Sequence, residues 1–246
     1  MTSVIVSGAA GHMGSITVNL VEAAENMTLA AAVDAFSQGG TILRSLDEFT
    51  GKADVVVDFS HHTAAPAVMD WAVRTGAAVV MATTGHDEAE RECIEKAAEK
   101  IPVFFSANMS MGIALLADMA KKAASVFPDA DIEIVEQHHN RKIDAPSGTA
   151  LMLADSICEV RPEARLVKGR SGMEKRQPGD IGIHSLRMGN IAGVHQIIIN
   201  TGSQSLTLTH EVYDRSLFAE GALTAAEFVA GKPAGLYGMK DLIANK

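Results

Sequence analysis

The segment Glu136-Gln137-His138-His139-Asn140-Arg141-Lys142-Ile143-Asp144-Ala145-Pro146-Ser147-Gly148-Thr149 gathers groups that handle protons and anions. Histidine titrates near neutral pH, and a lysine does so when burial lowers its pKa. Ser147, Gly148 and Thr149 open a helix; its free amides and hydroxyls suit a carboxylate, and Gly148 permits close approach. Together these features point to a site for an acidic substrate with acids at hand to protonate it. The alternative is a solvated loop with incidental charges. Zinc is disfavoured, because adjacent histidines point to opposite faces of a strand and no cysteine or third histidine is near; no metal is expected.

A second constellation lies at the N-terminus, where Val4-Ile5-Val6-Ser7-Gly8-Ala9-Ala10-Gly11-His12-Met13-Gly14 passes from a strand pattern into a helix pattern. Gly8 supplies a tight turn, Gly11 lets the backbone approach a pyrophosphate, and Gly14 lets the helix pack closely on the sheet. The helix N-terminus then offers amides to the phosphates. The spacing is G-x-x-G-x-x-G rather than G-x-G-x-x-G, so context carries the reading: the turn follows the first strand, and Asp34 ends the second, where a ribose-binding carboxylate belongs. A carboxylate there repels a 2′-phosphate. Ala35-Phe36-Ser37-Gln38-Gly39-Gly40 holds no cation to offset that, leaving Arg44 as the nearest one. The reading is a preference for NADH over NADPH.

These groups need a scaffold. Apolar β-branched runs at 4–6, 29–33, 55–59, 78–81 and 103–105 alternate with helix-like stretches at 13–24, 63–74 and 87–100, while 37–51 is less regular. Such alternation predicts a parallel sheet buried on both faces. The pattern changes after Asn108. A helix is expected over 110–126 with Ser110 at its N-cap, then a strand at 132–136, and then a polar stretch from His138 to Pro146, which disfavours helix at Ala145. A helix begins near Ser147, strands with antiparallel character follow at 181–187, 194–200 and 205–210, and a helix spans 215–230. The fold class is α/β: a Rossmann-type parallel sheet domain and a second α+β domain with a mixed, largely antiparallel sheet. The expected division is 1–109 plus 218–246 for dinucleotide binding, and 110–217 for substrate binding and oligomerisation.

Composition narrows the classes. Of 246 residues 47% are hydrophobic, enough for a sizeable core, and the net charge of -9 argues against a non-specific nucleic-acid binder. Cys93 and Cys158 indicate no disulfide framework. No signal peptide or membrane-spanning run is visible, so a reducing cytoplasm is the expected setting.

The chain resembles the 4-hydroxy-tetrahydrodipicolinate reductase (dihydrodipicolinate reductase) family of diaminopimelate and lysine biosynthesis. The resemblance rests on the variant glycine turn, on Val57-Asp58-Phe59-Ser60, Ala82-Thr83-Thr84-Gly85 and Ser106-Ala107-Asn108-Met109-Ser110-Met111-Gly112, and most specifically on H-H-x-x-K-x-D-A-P-S-G-T from His138 to Thr149. It implies that His138 and Lys142 handle the protons and that His139, Gly148 and Thr149, beside Ser147, contact substrate carboxylates. It implies a nicotinamide cofactor on Gly8, Ala9, Ala10, Gly11, His12 and Met13, on Asp34, on Ala82, Thr83 and Thr84, and on Ser106, Ala107, Asn108 and Met109. It also implies a small dicarboxylate substrate and a homotetramer. The chain departs from the family pattern at Ala82, at Asn140-Arg141, at Met188 and at Val194; none of these is a proposed catalytic residue, and the second departure flanks the substrate loop.

Three alternatives remain. A short-chain dehydrogenase needs Tyr-x-x-x-Lys, but Leu217 and Asp241 stand four residues after Tyr213 and Tyr237. A Rossmann dehydrogenase for another small acid would ignore the dipicolinate precursor. A non-enzymatic nicotinamide-sensing module would need no His/Lys constellation.

Overall fold

The structure, a computed structural model, describes residues 1–37 and 39–245. Gln38, which the sequence reading placed in the cation-free stretch after Asp34, lies outside the described residues. In chain order the elements begin with β1 (Thr2–Ser7), α1 (His12–Ala23), β2 (Met27–Val33), β3 (Ile42–Leu43), β4 (Val55–Asp58), α2 (Ala65–Thr75), β5 (Ala78–Met81), α3 (Glu88–Ala98) and β6 (Pro102–Phe105). They continue with α4 (Met111–Val126), β7 (Asp131–His138), α5 (Gly148–Cys158), β8 (Arg165–Lys168), β9 (Asp180–Arg187), β10 (Val194–Asn200) and β11 (Ser205–Glu211). They end with α6 (Ser216–Val229), β12 (Gly235–Tyr237) and α7 (Met239–Ala244). Two compact units result, one of Met1–Ser110 with Ser216–Lys246 and one of Met111–Arg215.

The first unit is built on a seven-stranded sheet in the order β12-β6-β5-β4-β1-β2-β3. All its pairings are parallel. Val4, Ile5 and Val6 are fully buried, as are Val55, Val56 and Val57, because helices cover both faces. Each such side chain contributes about 1.5–3 kcal/mol by leaving water. The helix ends are written locally. Asp87 and Glu90 form a reciprocal capping box at the start of α3, and Gly76 closes α2 at φ 76°, a conformation that glycine adopts without a Cβ penalty. The stretch 37–51, irregular by sequence, holds only β3 and a short 3-10 turn at Leu46–Glu48. α6 packs on β4, β5 and β6 and against α1, and β12 extends the sheet beside β6.

The second unit has a five-stranded sheet in the order β11-β10-β7-β9-β8. It is mixed, as the sequence predicted, but its parallel half is larger than the alternation implied. β10 pairs antiparallel with β7 and β11, whereas β9 runs parallel to β7 and β8. β9 and β10 are successive in sequence yet lie on either side of β7. One face of the sheet packs under α4 and α5 through Ile132, Ile134, Ile181, Ile183, Ile197 and Ile199. The intervening positions, Val135, Leu186, Val194 and Ile198, face the other way and are only half-buried. No helix among the described residues is long and apolar enough to cross a membrane.

One boundary that bears on the site differs from the sequence expectation. β7 runs through His138 instead of ending at Glu136, so His138 is a strand residue and not the start of the polar loop. The reason is periodicity: Ile132, Ile134, Glu136 and His138 alternate inward on one face and all four are buried.

Candidate functional site

The first unit places its chemistry at the carboxyl ends of β1, β4, β5 and β6, on either side of the point where the strand order reverses, the crevice in which open α/β sheets bind ligands. After β1 the backbone turns tightly at Gly8, with φ 78°, and the N–H groups of Gly8 and Ala9 donate to the Val33 carbonyl at 2.9 and 3.0 Å. A Cβ at Gly8 would lie 2.6 Å from the Phe59 carbonyl, and one at Gly14 only 1.9 Å from the Gly8 oxygen. Only glycine therefore lets α1 start this close to the strand. Gly11 caps α1 without any side-chain cap bond, so the first amides of the helix, from His12 and Met13, face an anion unobstructed by a capping side chain. Ala10 and Gly11 are exposed at the lip. This cradle fits a pyrophosphate.

Asp34, just beyond β2, is joined to the cradle. Its Oδ2 accepts from the Ala10 N–H at 3.0 Å, and its Oδ1 from the Phe36 N–H at 2.9 Å. The Arg44 Nε donates to the Ser37 carbonyl at 3.1 Å, which turns that guanidinium onto the local backbone. On the far side of the switch point, the buried Asp58 accepts from the hydroxyls of Ser60 and Thr83, each at 2.6 Å. That ties the loop after β4 to the Ala82-Thr83-Thr84 turn after β5. After β6 the Ser106 hydroxyl donates to the Asn108 carbonyl at 2.8 Å, and the Asn108 side-chain oxygen accepts from the Ser110 N–H at 2.9 Å, shaping the turn through Ala107 and Met109.

In the second unit the inward face of β7 builds a polar cluster. Glu136 is fully buried, and its carboxylate accepts from His138 Nδ1 at 2.6 Å, from the Ser147 N–H at 3.1 Å and from both terminal nitrogens of Arg187 at 2.8 and 2.6 Å. Burial alone would raise its pKa; bonds from Arg187, Ser185, His138 and the Ser147 amide outweigh it and hold the carboxyl at about 2. Sheet register explains the meeting, since Glu136 lies opposite His195 on β10 and Ser185 on β9, and His138 opposite Arg187. The His138 pKa is lowered by burial, against the pull of Glu136 and with help from Lys142 and Arg187. His195 stands edge-on to His138, ring centres 5.2 Å apart, and burial beside His138 lowers its pKa to about 4.

The loop after β7 is held at both ends. The His139 N–H donates to the Ile191 carbonyl at 2.8 Å, Lys142 pairs with Asp144 at 2.8 Å, and Arg187 donates to the Asp144 carbonyl at 2.6 Å. Ser147 caps α5, its hydroxyl oxygen accepting from the Ala150 N–H at 3.2 Å, while Gly148 is exposed on the first turn and Thr149 half-buried beside it. His138, Lys142, Ser147, Gly148 and Thr149 thus share one polar neighbourhood. His139 Nδ1 is buried without a hydrogen-bond partner among the described residues. Glu136, Arg187 and His195 were not among the residues singled out from sequence. Glu136 had a signal, lying two residues before His138 on a strand; Arg187 and His195 fall in segments that resemble the family, Ile181–Arg187 and Gly193-Val194-His195, but strand pairing alone shows that they meet Glu136.

Sheet order, glycine cradle and polar cluster define an α/β protein with a Rossmann-type unit and a second, mixed-sheet unit. Residues 2–109 match the family model described as dihydrodipicolinate reductase, N-terminus, and residues 112–243 match dihydrodipicolinate reductase, C-terminus. The chain belongs to the dihydrodipicolinate reductase family. It is 44% identical to the 4-hydroxy-tetrahydrodipicolinate reductase of Caldanaerobacter subterraneus subsp. tengcongensis, over 99% of this chain and 98% of that one. It is 39% identical to the enzyme of that name from Clostridium novyi over the full length of both. Among solved structures, a dipicolinate-bound dihydrodipicolinate reductase from Paenisporosarcina sp. TG-14 superposes with a TM-score of 0.83 at 29% identity, covering 98% of this chain and 99% of that one.

Proposed function

We propose that this chain is an NAD(P)H-dependent oxidoreductase that reduces 4-hydroxy-tetrahydrodipicolinate, the activity for which its curated relatives are named. The observation that carries the reading is the polar cluster on β7, where a buried histidine, the lysine loop and the α5 N-terminus are held together by Glu136 and Arg187. A dicarboxylate has complementary partners there, and the related structure from Paenisporosarcina carries dipicolinate. When bound, a reduced nicotinamide would supply hydride to the imine-conjugated ring carbon from which the 4-hydroxyl has left as water. One proton, from Lys142 or from His138 in its protonated form, would quench the negative charge left on the substrate. The amides and hydroxyls of Ser147, Gly148 and Thr149, with His139, hold the carboxylates. The dinucleotide rests on Gly8 to Met13, on Asp34, and on the turns at Ala82 to Thr84 and Ser106 to Met109. The charge of Asp34 and the engagement of Arg44 favour NADH over NADPH.

The half-buried apolar stripe of Val135, Leu186, Val194 and Ile198 supports self-association through the second sheet, which we assign as a homotetramer contact. The setting is a reducing cytoplasm, consistent with free Cys93 and Cys158. The reading is tested by supplying the product of dihydrodipicolinate synthase together with NADH or NADPH and following nicotinamide oxidation. Substrate-dependent oxidation is expected; a rate equal to that of the enzyme-free mixture overturns the assignment.

A further inference from the structure

Glu136 does more than balance a buried arginine. An ionised carboxylate has no proton to donate, so in the 2.6 Å bond to His138 the hydrogen sits on Nδ1 of the ring. Neutral His138 is therefore the Nδ1–H tautomer, and its free nitrogen is Nε2. That nitrogen faces Gly193, where an added Cβ would come within 3.2 Å of it, so a glycine keeps the space beside it clear. The second oxygen of Glu136 accepts from the Ser147 amide at the start of α5, and Arg187 bridges the carboxylate to the Asp144 carbonyl, two residues from Lys142. One side chain thus spaces three groups: the imidazole, the helix terminus and the lysine loop.

We propose that Glu136, clamped by Arg187, is the positioning residue of this site, holding His138 as the Nδ1–H tautomer so that Nε2 is the atom that exchanges the proton. This rests on the reductase reading for its kinetic consequences, but not for the tautomer itself. The groups facing the His138 ring are Glu136 on its own strand, Arg187 on β9, His195 on β10 and Lys142 in the loop. His195 does not compete for the role. Its Nε2 is engaged by the Ser147 hydroxyl at 3.2 Å, in the cap of α5.

The experiment has two readouts on the full-length protein. Histidine 15N chemical shifts of the wild type, with His138→Gln used for assignment, report the tautomer directly and need no turnover. The Nδ1–H form is expected; an Nε2–H form overturns the proposal even if the enzyme is fully active. Glu136→Gln then removes the charge while keeping the shape. The expected outcome is a fall in kcat of about 100-fold or more with NADH affinity unchanged. The pH-profile limb that reports His138 should move to lower pH, since Glu136 raises that pKa. A Glu136→Gln enzyme with wild-type turnover and an unmoved profile overturns the proposal. Should that variant fold poorly, Arg187→Lys, which keeps the charge but loses the two-nitrogen clamp, is expected to give a smaller fall in kcat with the tautomer retained; an unchanged kcat overturns the clamp. If the wild type turns over no substrate, the reductase reading fails while the 15N shifts still decide the tautomer.

Discussion

The Ala10 amide donates to Asp34 Oδ2 across 3.0 Å, so the glycine turn and the end of β2 are joined. The carboxylate keeps further lone pairs for ribose hydroxyls and has only repulsion for a phosphate. Asp34→Asn should therefore raise the NADPH-to-NADH ratio of kcat/KM by at least roughly tenfold, since relieving about 1.4 kcal/mol of like-charge repulsion already does so. Steady-state kinetics with both cofactors measures this. An unchanged ratio removes Asp34 from cofactor choice.

Removing either proton-handling group should slow chemistry without loosening the dinucleotide. Lys142→Ala and His138→Ala are each expected to lower kcat by about 10²–10⁴-fold. Both residues lie in the second unit, whereas the glycine cradle lies in the first, so NADH affinity measured by fluorescence titration should stay within about twofold of wild type. Near-normal turnover in both variants would sink the proposed roles.

The cradle itself has a graded steric limit. A Cβ at Gly14 would meet the Gly8 carbonyl at 1.9 Å, whereas one at Gly11 would stand 3.2 Å from the same atom. Backbone cannot swing aside as a flexible side chain can. Gly14→Ala should cost at least about 3 kcal/mol, the upper end of ordinary overpacking penalties, and Gly11→Ala markedly less. Urea denaturation of the two variants side by side tests the ranking; equal losses would contradict it.

Much of the first unit was legible because its signals are local. Val4 to Val6, the glycines and Asp34 lie on consecutive elements, and strand and helix periods differ enough to be told apart. β8 and β12 escaped because they are short and sit at sheet edges, so Leu166 and Leu236 lack a buried alternating pattern to betray them. The polar cluster was half legible. His138 to Thr149 drew attention through unusual composition, but the pairing that sets Arg187 and His195 beside Glu136 depends on β9 and β10 flanking β7, and nothing near those residues in the chain encodes that order.

Acid should weaken the fold through His195. Unfolded histidine takes up a proton near pH 6.5, whereas buried His195 does so only near 4. Between those values the unfolded chain binds more protons, so stability falls as pH drops through that window. One such group costs roughly 2 kcal/mol between pH 7.5 and 5. Glu136, held at about 2, adds its loss only below about pH 4.5. Chemical denaturation at both pH values should show the dependence flattened in His195→Gln; an equal slope in variant and wild type would assign it to other groups.

The second unit interrupts the first, and that has a consequence for synthesis on the ribosome. The strands β1 to β6 emerge early, but α6 and β12, which cover and extend their sheet, follow only after the whole of Met111–Arg215. At about 5–20 residues per second, the nascent sheet waits several seconds or more with β4, β5 and β6 uncovered where α6 will pack, while the inserted unit has its complete set of strands and helices in hand. The order of maturation is thus the reverse of the order of translation, and the waiting sheet is the surface that a chaperone would meet first.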